Sequence, residues 1–275
     1  MTKPYAEVIG DPISHSKSPT IHNFWLGKLG IDAEYRACHV RPEELADYFA
    51  QRRKDPDWRG CNVTIPHKEA VMACLDVLEP RAQKIGAVNT VWKADDVLFG
   101  RNTDVEGVAE AIRGLDLTGK SAVVIGAGGA ARSAFAHLEG LGCVAVKVIA
   151  RSTDKATGVV SGFALPWSVH SFDEPEVIDG ATLLVNAAQL GMIGQAAMPE
   201  PILTAVDSLA DDGLVFDIVY DPQETELLKA AALCGKSQVG GLTMLVGQAR
   251  TAFARFFGQL PPQKYDAELR ELLTR

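Results

Sequence analysis

The chain has 275 residues, which is enough for one large domain or two modest ones. Its formal net charge of −8 argues against a nucleic-acid-binding or anionic-membrane surface, which would need a basic face. Its five cysteines are scattered without a Cys-x-x-Cys pair, a pattern typical of reduced thiols in the cytoplasm.

The hydropathy pattern indicates neither export nor membrane insertion. Residues 1–10 do not resemble a signal peptide, because Pro4 and Glu7 interrupt them. The charge-free run 180–199 includes Asn186 and Gln189, and it is too polar for a bilayer span. We therefore expect a cytoplasmic protein with no membrane partner.

Segments rich in β-formers alternate with helical ones along almost the whole chain. The sequence predicts strands at residues 5–9, 35–40, 60–65, 87–93, 121–125, 146–150, 182–186 and 214–219. It predicts helices at residues 19–29, 42–53, 68–78, 130–141, 225–234 and 241–257. This alternation favours an α/β fold with a parallel sheet covered by helices, and the turn-rich residues 114–120 mark the strongest internal boundary.

The first strand leads into a stretch rich in hydroxyl groups, residues 10–23. In an extended segment Ser14, Ser16 and Ser18 point to the same side. Hydroxyl groups both donate and accept hydrogen bonds, which suits a ligand rich in hydroxyl and carboxylate oxygens. A second interpretation is local, because Ser18 before Pro19 is also a typical helix N-cap.

A second polar cluster follows the predicted strand 60–65. Thr64 lies at the strand end, and Lys68 opens the predicted helix 68–78, where it could exchange a proton with a ligand. An isolated lysine is more often a surface residue, but Asp104 is a natural partner for it and Asn89 a nearby polar candidate. Gln248 lies on the otherwise apolar helix 241–257, where an amide needs a hydrogen-bond partner.

Residues 122–138 have the strand–turn–helix order of a dinucleotide-binding crossover. The turn reads Gly126-x-Gly128-x-x-Ala131. Gly126 allows the tight turn, Gly128 lets a pyrophosphate approach the backbone, and the helix N-terminus faces the phosphate charge. The alternative is a glycine-rich turn without a ligand.

The end of the next strand bears on the choice of cofactor. An NAD-preferring fold usually places an acidic residue there, whereas this strand ends at Ala150-Arg151-Ser152. A guanidinium beside a hydroxyl suits the 2′-phosphate of NADP, although Asp154 nearby would favour NAD. The alternative is a solvated arginine. We predict no metal site, because the six histidines show no zinc-type spacing.

Seven motifs in collinear order resemble the shikimate dehydrogenase family, which includes the quinate/shikimate dehydrogenases. They cover residues 10–23, 62–68, 86–90, 102–104, 126–132, 217–228 and 240–249. The chain departs from the family pattern in the stretch that usually reads Asn-Ala-Thr-Pro-Leu-Gly-Met. Here residues 186–192 read Asn-Ala-Ala-Gln-Leu-Gly-Met.

The resemblance implies a role for individual residues. The catalytic residues would be Lys68, as the acid–base lysine, and Asp104 beside it. Substrate-binding positions would be Ser16 and Ser18 for the carboxylate, then Thr64, Asn89, Asp104 and Gln248 for the ring hydroxyls, with Tyr220 lining the site. Ser14 falls where the family varies. The implied cofactor-binding residues are Gly126, Ala127, Gly128, Gly129, Ala130, Arg151, Ser152, Met192 and Gly241.

The resemblance also implies the architecture and the reaction. We expect two α/β domains around a cleft, with residues 1–105 and 241–275 binding substrate and residues 106–240 forming a Rossmann-type NADP-binding domain. The expected reaction is the reversible NADPH-dependent reduction of 3-dehydroshikimate to shikimate by a monomer or homodimer that binds no nucleic acid. Two alternatives are a quinate/shikimate dehydrogenase with broader substrate and NAD use, and a non-catalytic dinucleotide sensor.

Overall fold

The structure is a computed structural model that describes residues 3–274. It divides into two compact units. The first unit runs to Thr103 and resumes at Gln248, and the second unit spans Asp104–Gly247. Each unit consists of a six-stranded sheet with helices, so the predicted α/β class is confirmed. Within residues 3–274, no helix is long and apolar enough to cross a membrane.

The first unit contains a mixed sheet. Its strands are β1 (Tyr5–Gly10), β2 (Glu34–His39), β3 (Trp58–Val63), β4 (Val77–Leu78), β5 (Thr90–Ala94) and β6 (Val97–Arg101), in the spatial order β2-β1-β3-β5-β6-β4. Its helices are α1 (Ser18–Leu29), α2 (Leu45–Lys54), α3 (Pro80–Ile85) and the C-terminal α10 (Asp266–Thr274). The hydrophobic core of this unit includes Phe49, Trp58 and Val91, all buried.

Strand directions in this sheet bring several chain segments to a single edge. Strands β1, β2 and β3 are parallel, β5 runs antiparallel to β3, and β6 runs antiparallel to β5. The segments that follow β1, β3 and β6, and the segment that precedes β5, therefore all lie at one edge. We call it the carboxyl edge of the first sheet.

The predicted helix at residues 68–78 is wrong. Residues 65–69 form a turn, Ala70–Cys74 is a short 3₁₀ helix, and β4 follows at Val77–Leu78. Pairing with β6 overrides helix propensity here, because the Asp76 N–H donates to the Leu98 carbonyl at 3.0 Å. Lys68 therefore lies in a turn and not at the start of an α-helix.

The long helix α9 (Gly241–Phe257) matches its predicted bounds, and its second half belongs to the first unit. There it packs against a buried aromatic cluster around His22 on α1. The His22 ring stacks on Tyr35 with centroids 3.9 Å apart, and the centroids of Phe253 and Trp25 lie 5.7 Å and 5.8 Å from the same ring. This cluster fastens the C-terminal part of the chain to the N-terminal sheet.

The second unit has an all-parallel sheet. Its strands are β7 (Ser121–Ile125), β8 (Ala145–Ile149), β9 (Trp167–His170), β10 (Leu183–Asn186), β11 (Leu214–Asp217) and β12 (Ser237–Gly240). Its helices are α4 (Asp104–Ala111), α5 (Gly129–Leu138), α6 (Thr153–Val160), α7 (Glu200–Ala205) and α8 (Glu226–Leu233). The spatial order β12-β11-β10-β7-β8-β9 is that of a dinucleotide-binding Rossmann fold, with its reversal between β7 and β10.

Acid should destabilise the first unit through His22. Burial lowers the pKa of His22 to about 3, and within residues 3–274 neither ring nitrogen has a hydrogen-bond partner. The unfolded chain takes up this proton near pH 6.5, so stability falls as pH drops from 6.5 towards 3, by up to about 4–5 kcal/mol. His22→Phe should flatten this part of the pH dependence.

The measurement is urea unfolding, followed by circular dichroism, of the parent and His22→Phe chains between pH 4 and 8. Below pH 6.5, the urea concentration at the midpoint of unfolding should fall more steeply with decreasing pH for the parent than for the variant. Equal slopes in the two chains would contradict the prediction.

Candidate active site

The serine-rich segment leaves β1 at the carboxyl edge of the first sheet, and it is folded into a turn. The Ser16 N–H donates to the Ile13 carbonyl at 3.1 Å, so the predicted extended alternation of three serines is wrong. Ser14 is exposed, Ser16 is half-buried and Ser18 is buried. The three serines do not share one face of a strand.

The predicted N-cap of α1, Ser18, is wrong. Ser18 is the first helical residue, Pro19 follows it, and the position before the helix is Lys17. The Ser18 N–H donates to the Ser16 Oγ at 3.3 Å. Ser16 thus supports the helix start, and its own O–H is oriented as a donor away from that bond.

The turn that carries Thr64 and Lys68 lies directly beside the serine segment. The Thr64 N–H donates to the Ile9 carbonyl at 3.0 Å, and the Asp11 N–H donates to the Ile65 carbonyl at 3.1 Å. The approach is so close that a Cβ at Gly10 would lie 2.6 Å from the Thr64 Cγ2. Glycine at position 10 is therefore what allows the two segments to meet.

Lys68 is held by its backbone and by the neighbouring residue. The Lys68 carbonyl accepts from the Val88 N–H at 2.8 Å, which ties this turn to the segment that precedes β5. Next to it, His67 is buried, and its Nε2 lies 2.6 Å from the Val40 carbonyl. A carbonyl only accepts, so this nitrogen carries a proton. The Lys68 side chain itself is half-buried.

Asn89 and Gln248 meet at the same edge through a buried threonine. The Asn89 Oδ1 accepts from the Thr103 N–H at 2.7 Å, and the Thr103 Oγ1 lies 3.4 Å from the Gln248 Oε1. Asn89, Thr103 and Gln248 are all buried. The returning helix α9 thus brings Gln248 next to residues more than a hundred positions earlier in the chain.

Six of the predicted site residues are thereby gathered at the carboxyl edge of the first sheet: Ser16, Ser18, Thr64, Lys68, Asn89 and Gln248. Asp104 directly follows Thr103 in the chain, is buried, and begins α4 of the second unit. The pairing of Lys68 with Asp104 stays a prediction. Within residues 3–274, no cluster of three or more His, Cys, Asp or Glu side chains is arranged to hold a metal ion.

In the second unit the glycine turn lies where the strand order reverses. Gly126 has a φ of +107°, and a Cβ there would lie 3.2 Å from the Ala187 carbonyl that follows β10. Gly128 and Gly129 differ, because within residues 3–274 a Cβ at either would meet nothing within 4 Å. Gly128 also has an ordinary φ of −81°. Protein packing therefore does not require glycine at position 128, whereas a phosphate bound close to the backbone would.

The neighbours of this turn leave its backbone accessible. Ala127 and Ala130 are half-buried small residues, and Ala130 lies in the first turn of α5. The backbone N–H groups of a helix's first turn have no partner within that helix, so they are available to an anion. This geometry fits the diphosphate of a dinucleotide.

Arg151 and Ser152 lie at the end of β8, and both are exposed. Ser152 is the N-cap of α6, because its Oγ accepts from the Lys155 N–H at 3.4 Å. This bond leaves the Ser152 hydroxyl proton available for donation. The assignment of Arg151 and Ser152 to the 2′-phosphate stays a prediction.

The segment that departs from the family pattern is anchored by Asn186, a residue that sequence reasoning missed. The Asn186 side chain donates to the Leu190 carbonyl at 3.0 Å and accepts from the Ala188 N–H at 3.1 Å. It also donates to the Asp217 Oδ1 at 2.9 Å. The anchor thus spans the two positions, 188 and 189, at which the threonine and proline are absent.

Asp217 supports this anchor from the end of β11. It is fully buried, and it accepts from the Thr225 hydroxyl at 2.6 Å and from the Val219 N–H at 3.0 Å. Burial raises the pKa of its carboxyl. A polar residue at the end of an apolar strand was the available sequence signal for Asp217, and the same holds for Asn186.

The remaining predicted residues of the second unit lie at the same edge of its sheet. Met192 is 38% exposed in the loop after β10, and Tyr220 is half-buried after β11, where burial raises the pKa of its hydroxyl. Gly241 begins α9, and a Cβ there would lie 2.1 Å from the Ile218 carbonyl. Gly241 is therefore fixed by packing of the backbone.

Comparison with known proteins finds matches along almost the whole chain. A family model described as the shikimate dehydrogenase substrate binding domain matches residues 8–91, which lie in the first unit. A relative from Sphingopyxis alaskensis, named Shikimate dehydrogenase (NADP(+)), is 47% identical over 272 residues, covering 98% of this chain and 97% of the relative.

Solved structures extend the likeness to three dimensions. Shikimate 5-dehydrogenase from Thermus thermophilus, in complex with NADP(H) and shikimate, is 36% identical with a TM-score of 0.86, covering 98% of both chains. A 5-ketofructose reductase of Gluconobacter is 26% identical with a TM-score of 0.85, covering 99% of both chains. The fold alone thus serves more than one substrate. On the strength of the identity over nearly its whole length, this chain belongs to the shikimate dehydrogenase family.

Proposed function

We propose that this chain catalyses the reversible NADPH-dependent reduction of 3-dehydroshikimate to shikimate, a step in the biosynthesis of chorismate and the aromatic amino acids. The observation that carries the proposal is the set of polar side chains at the carboxyl edge of the first sheet. Two serines, a threonine, a lysine and two amides from separate chain segments converge there. That set of donors suits a small carboxylate with several hydroxyl groups.

In this proposal the two ends of the substrate bind to different segments. Ser16 and Ser18, at the start of α1, bind the carboxylate. Thr64, Asn89 and Gln248 bind the ring hydroxyls, and Asp104 and Tyr220 complete the set. The fixed positions of Asn89 and Gln248 support this division, because both amides are held by Thr103 and cost little entropy to order on binding.

Lys68 is the proposed acid–base group. Its ammonium would donate a proton to the oxygen at C3 as that oxygen gains charge, and in the reverse direction its amine would take the proton from the hydroxyl. Asp104 would orient and stabilise the lysine. NADPH, when bound, supplies the hydride. The bond between the Lys68 carbonyl and the Val88 N–H supports the role, because it fixes the lysine backbone relative to Asn89.

The second unit would hold the cofactor. Gly126, Ala127, Gly128, Gly129 and Ala130 would place backbone N–H groups against the diphosphate. Arg151 and Ser152 would bind the 2′-phosphate, and Met192 and Gly241 would also contact the cofactor. The open space over Gly128 and Gly129 supports this assignment.

We also propose a division of the chain into two domains, an oligomeric state and a location in the cell. Residues 1–105 and 241–275 would form the substrate-binding and catalytic domain, and residues 106–240 the NADP-binding domain. The chain would act as a monomer or homodimer in the cytoplasm, and the scattered spacing of its five cysteines supports that location.

The experiment that tests the function is an absorbance assay of NADPH formation. Shikimate with NADP⁺ is compared with quinate and with NAD⁺ in all pairings. We expect turnover with shikimate and NADP⁺ to exceed the other pairings clearly. Comparable rates with quinate or NAD⁺ would support the broader quinate/shikimate enzyme, and nucleotide binding without any turnover would support a sensing protein.

Replacing Lys68 by methionine should abolish most of the activity and leave binding intact. Methionine keeps much of the length of the side chain and removes the amine. Positioned acid–base catalysis contributes roughly 10²–10⁴ in rate, so kcat should fall by about that factor. The measurement is kcat and KM for shikimate, with NADPH binding followed by fluorescence.

The matched control is Lys84→Met, at an exposed position on α3 of the same unit. It should leave kcat within about 2-fold of the parent, as expected for a surface substitution. A Lys68→Met chain with nearly parental kcat would rule out the catalytic role of this lysine.

Replacing Arg151 by alanine should weaken the binding of NADP⁺ much more than the binding of NAD⁺. A hydrogen bond to a charged group contributes about 1.5–3 kcal/mol, which corresponds to a rise of about 10- to 100-fold in KM for NADP⁺. NAD⁺ lacks the 2′-phosphate, so its KM should change little. Arg113→Ala, at an exposed position after α4, is the control. Equal losses for both cofactors would contradict the 2′-phosphate assignment.

A further inference from the structure

A buried threonine behind the site, Thr90, has three polar partners for its one hydroxyl group. Its Oγ1 accepts from the Asn62 Nδ2 at 3.1 Å and lies 3.0 Å from the Asn89 Oδ1 and 3.1 Å from the Thr103 Oγ1. Its side chain is fully buried, with 0% exposure. Thr90 therefore contacts no ligand directly, yet it touches a residue proposed to bind substrate.

The partners around Thr90 fix the orientation of two side-chain amides. The Thr103 backbone N–H, 2.7 Å from the Asn89 side chain, can only donate, so the Asn89 atom facing it is the oxygen. The Asn89 backbone carbonyl, 3.2 Å from the Asn62 side chain, can only accept, so the Asn62 atom facing it is the nitrogen. The Asn62 oxygen then accepts from the Tyr35 hydroxyl at 2.7 Å.

These constraints determine which end of the Asn89 side-chain amide faces away from Thr90 and Thr103. Its oxygen receives the Thr103 N–H and faces the hydroxyls of both Thr90 and Thr103. The opposite end of the amide is the nitrogen, which can only donate. Whatever group that nitrogen meets must therefore be an acceptor, such as a hydroxyl or carbonyl oxygen.

We propose that Thr90 is a positioning residue of the enzyme, which holds the Asn89 amide with its N–H donors directed to the ring oxygens of the substrate. The inference rests on the proposed function and deepens it. Thr90 acts through Asn89, because of its three polar partners, Asn62, Asn89 and Thr103, Asn89 is the one to which the proposed function assigns a substrate contact. Loss of its hydroxyl removes one of the two hydroxyl groups that face the Asn89 oxygen.

The test is a double-mutant cycle between positions 90 and 89. Thr90→Val keeps the shape and the β-branched backbone preference of β5 and removes the hydroxyl. It should raise KM for shikimate about 3- to 10-fold, in the range of one hydrogen bond, and leave KM for NADP⁺ unchanged. Thr90→Ser keeps the hydroxyl and should stay within about 2-fold of the parent.

The decisive comparison is made in the Asn89→Ala background. If Thr90 acts through Asn89, adding Thr90→Val to Asn89→Ala should change KM and kcat by less than about 2-fold, since no amide is left to position. A melting curve of each chain establishes that it is folded. If Thr90→Val does not fold, Thr90→Ala, which introduces no new contact, takes its place in the cycle.

Two outcomes overturn the inference in different ways. If the parent is active and the two single penalties multiply in the double variant, Thr90 does not act through Asn89, and this inference alone fails. If the parent neither binds nor turns over shikimate, the proposed function fails and the inference fails with it.

Discussion

The pairing of β3 with its two neighbours is the constraint on which the site depends. Because β3 is parallel to β1 and antiparallel to β5, the chain leaves β1 and β3 and enters β5 at one edge of the sheet. The serine segment, the lysine turn and Asn89 thereby become neighbours although they are distant in sequence. A strand slipped by one residue would turn Asn62 and its network to the other face.

The second unit follows the same rule. Its parallel strands all end at one edge, and the strand order reverses between β7 and β10. The glycine turn lies there, and an added Cβ at Gly128 or Gly129 would meet no atom within 4 Å among residues 3–274. Buried polar residues then stiffen both edges. Asn186 with Asp217 does so in the second unit, as Thr90 with Thr103 does in the first. Such networks hold buried side chains at defined angles through their hydrogen bonds.

The sequence predictions were correct where an element carries an unbroken hydrophobic pattern. The strand at 121–125 and the helix at 241–257 carry unbroken hydrophobic patterns, and both match the structure. The predictions failed at residues 68–78, where pairing of β4 with β6 outcompetes a helix, and at residues 13–18, where a turn replaces an extended segment. At residues 68–78 the deciding partner strand lies some twenty positions further along the chain, outside any local window. At residues 13–18 a short turn and the start of α1 compete with the extended conformation.

The sequence by itself determined the α/β class, the family, and which residue types are available for acid–base and phosphate chemistry. Only the tertiary structure decided that Gln248 joins Asn89 through Thr103, that Asn62 and Thr103 meet at Thr90, and that Asn186 contacts Asp217. The physical reason is that hydrophobic periodicity and turn chemistry act over a few residues. A side-chain hydrogen bond across 145 residues exists only once the sheet and the returning helix have packed.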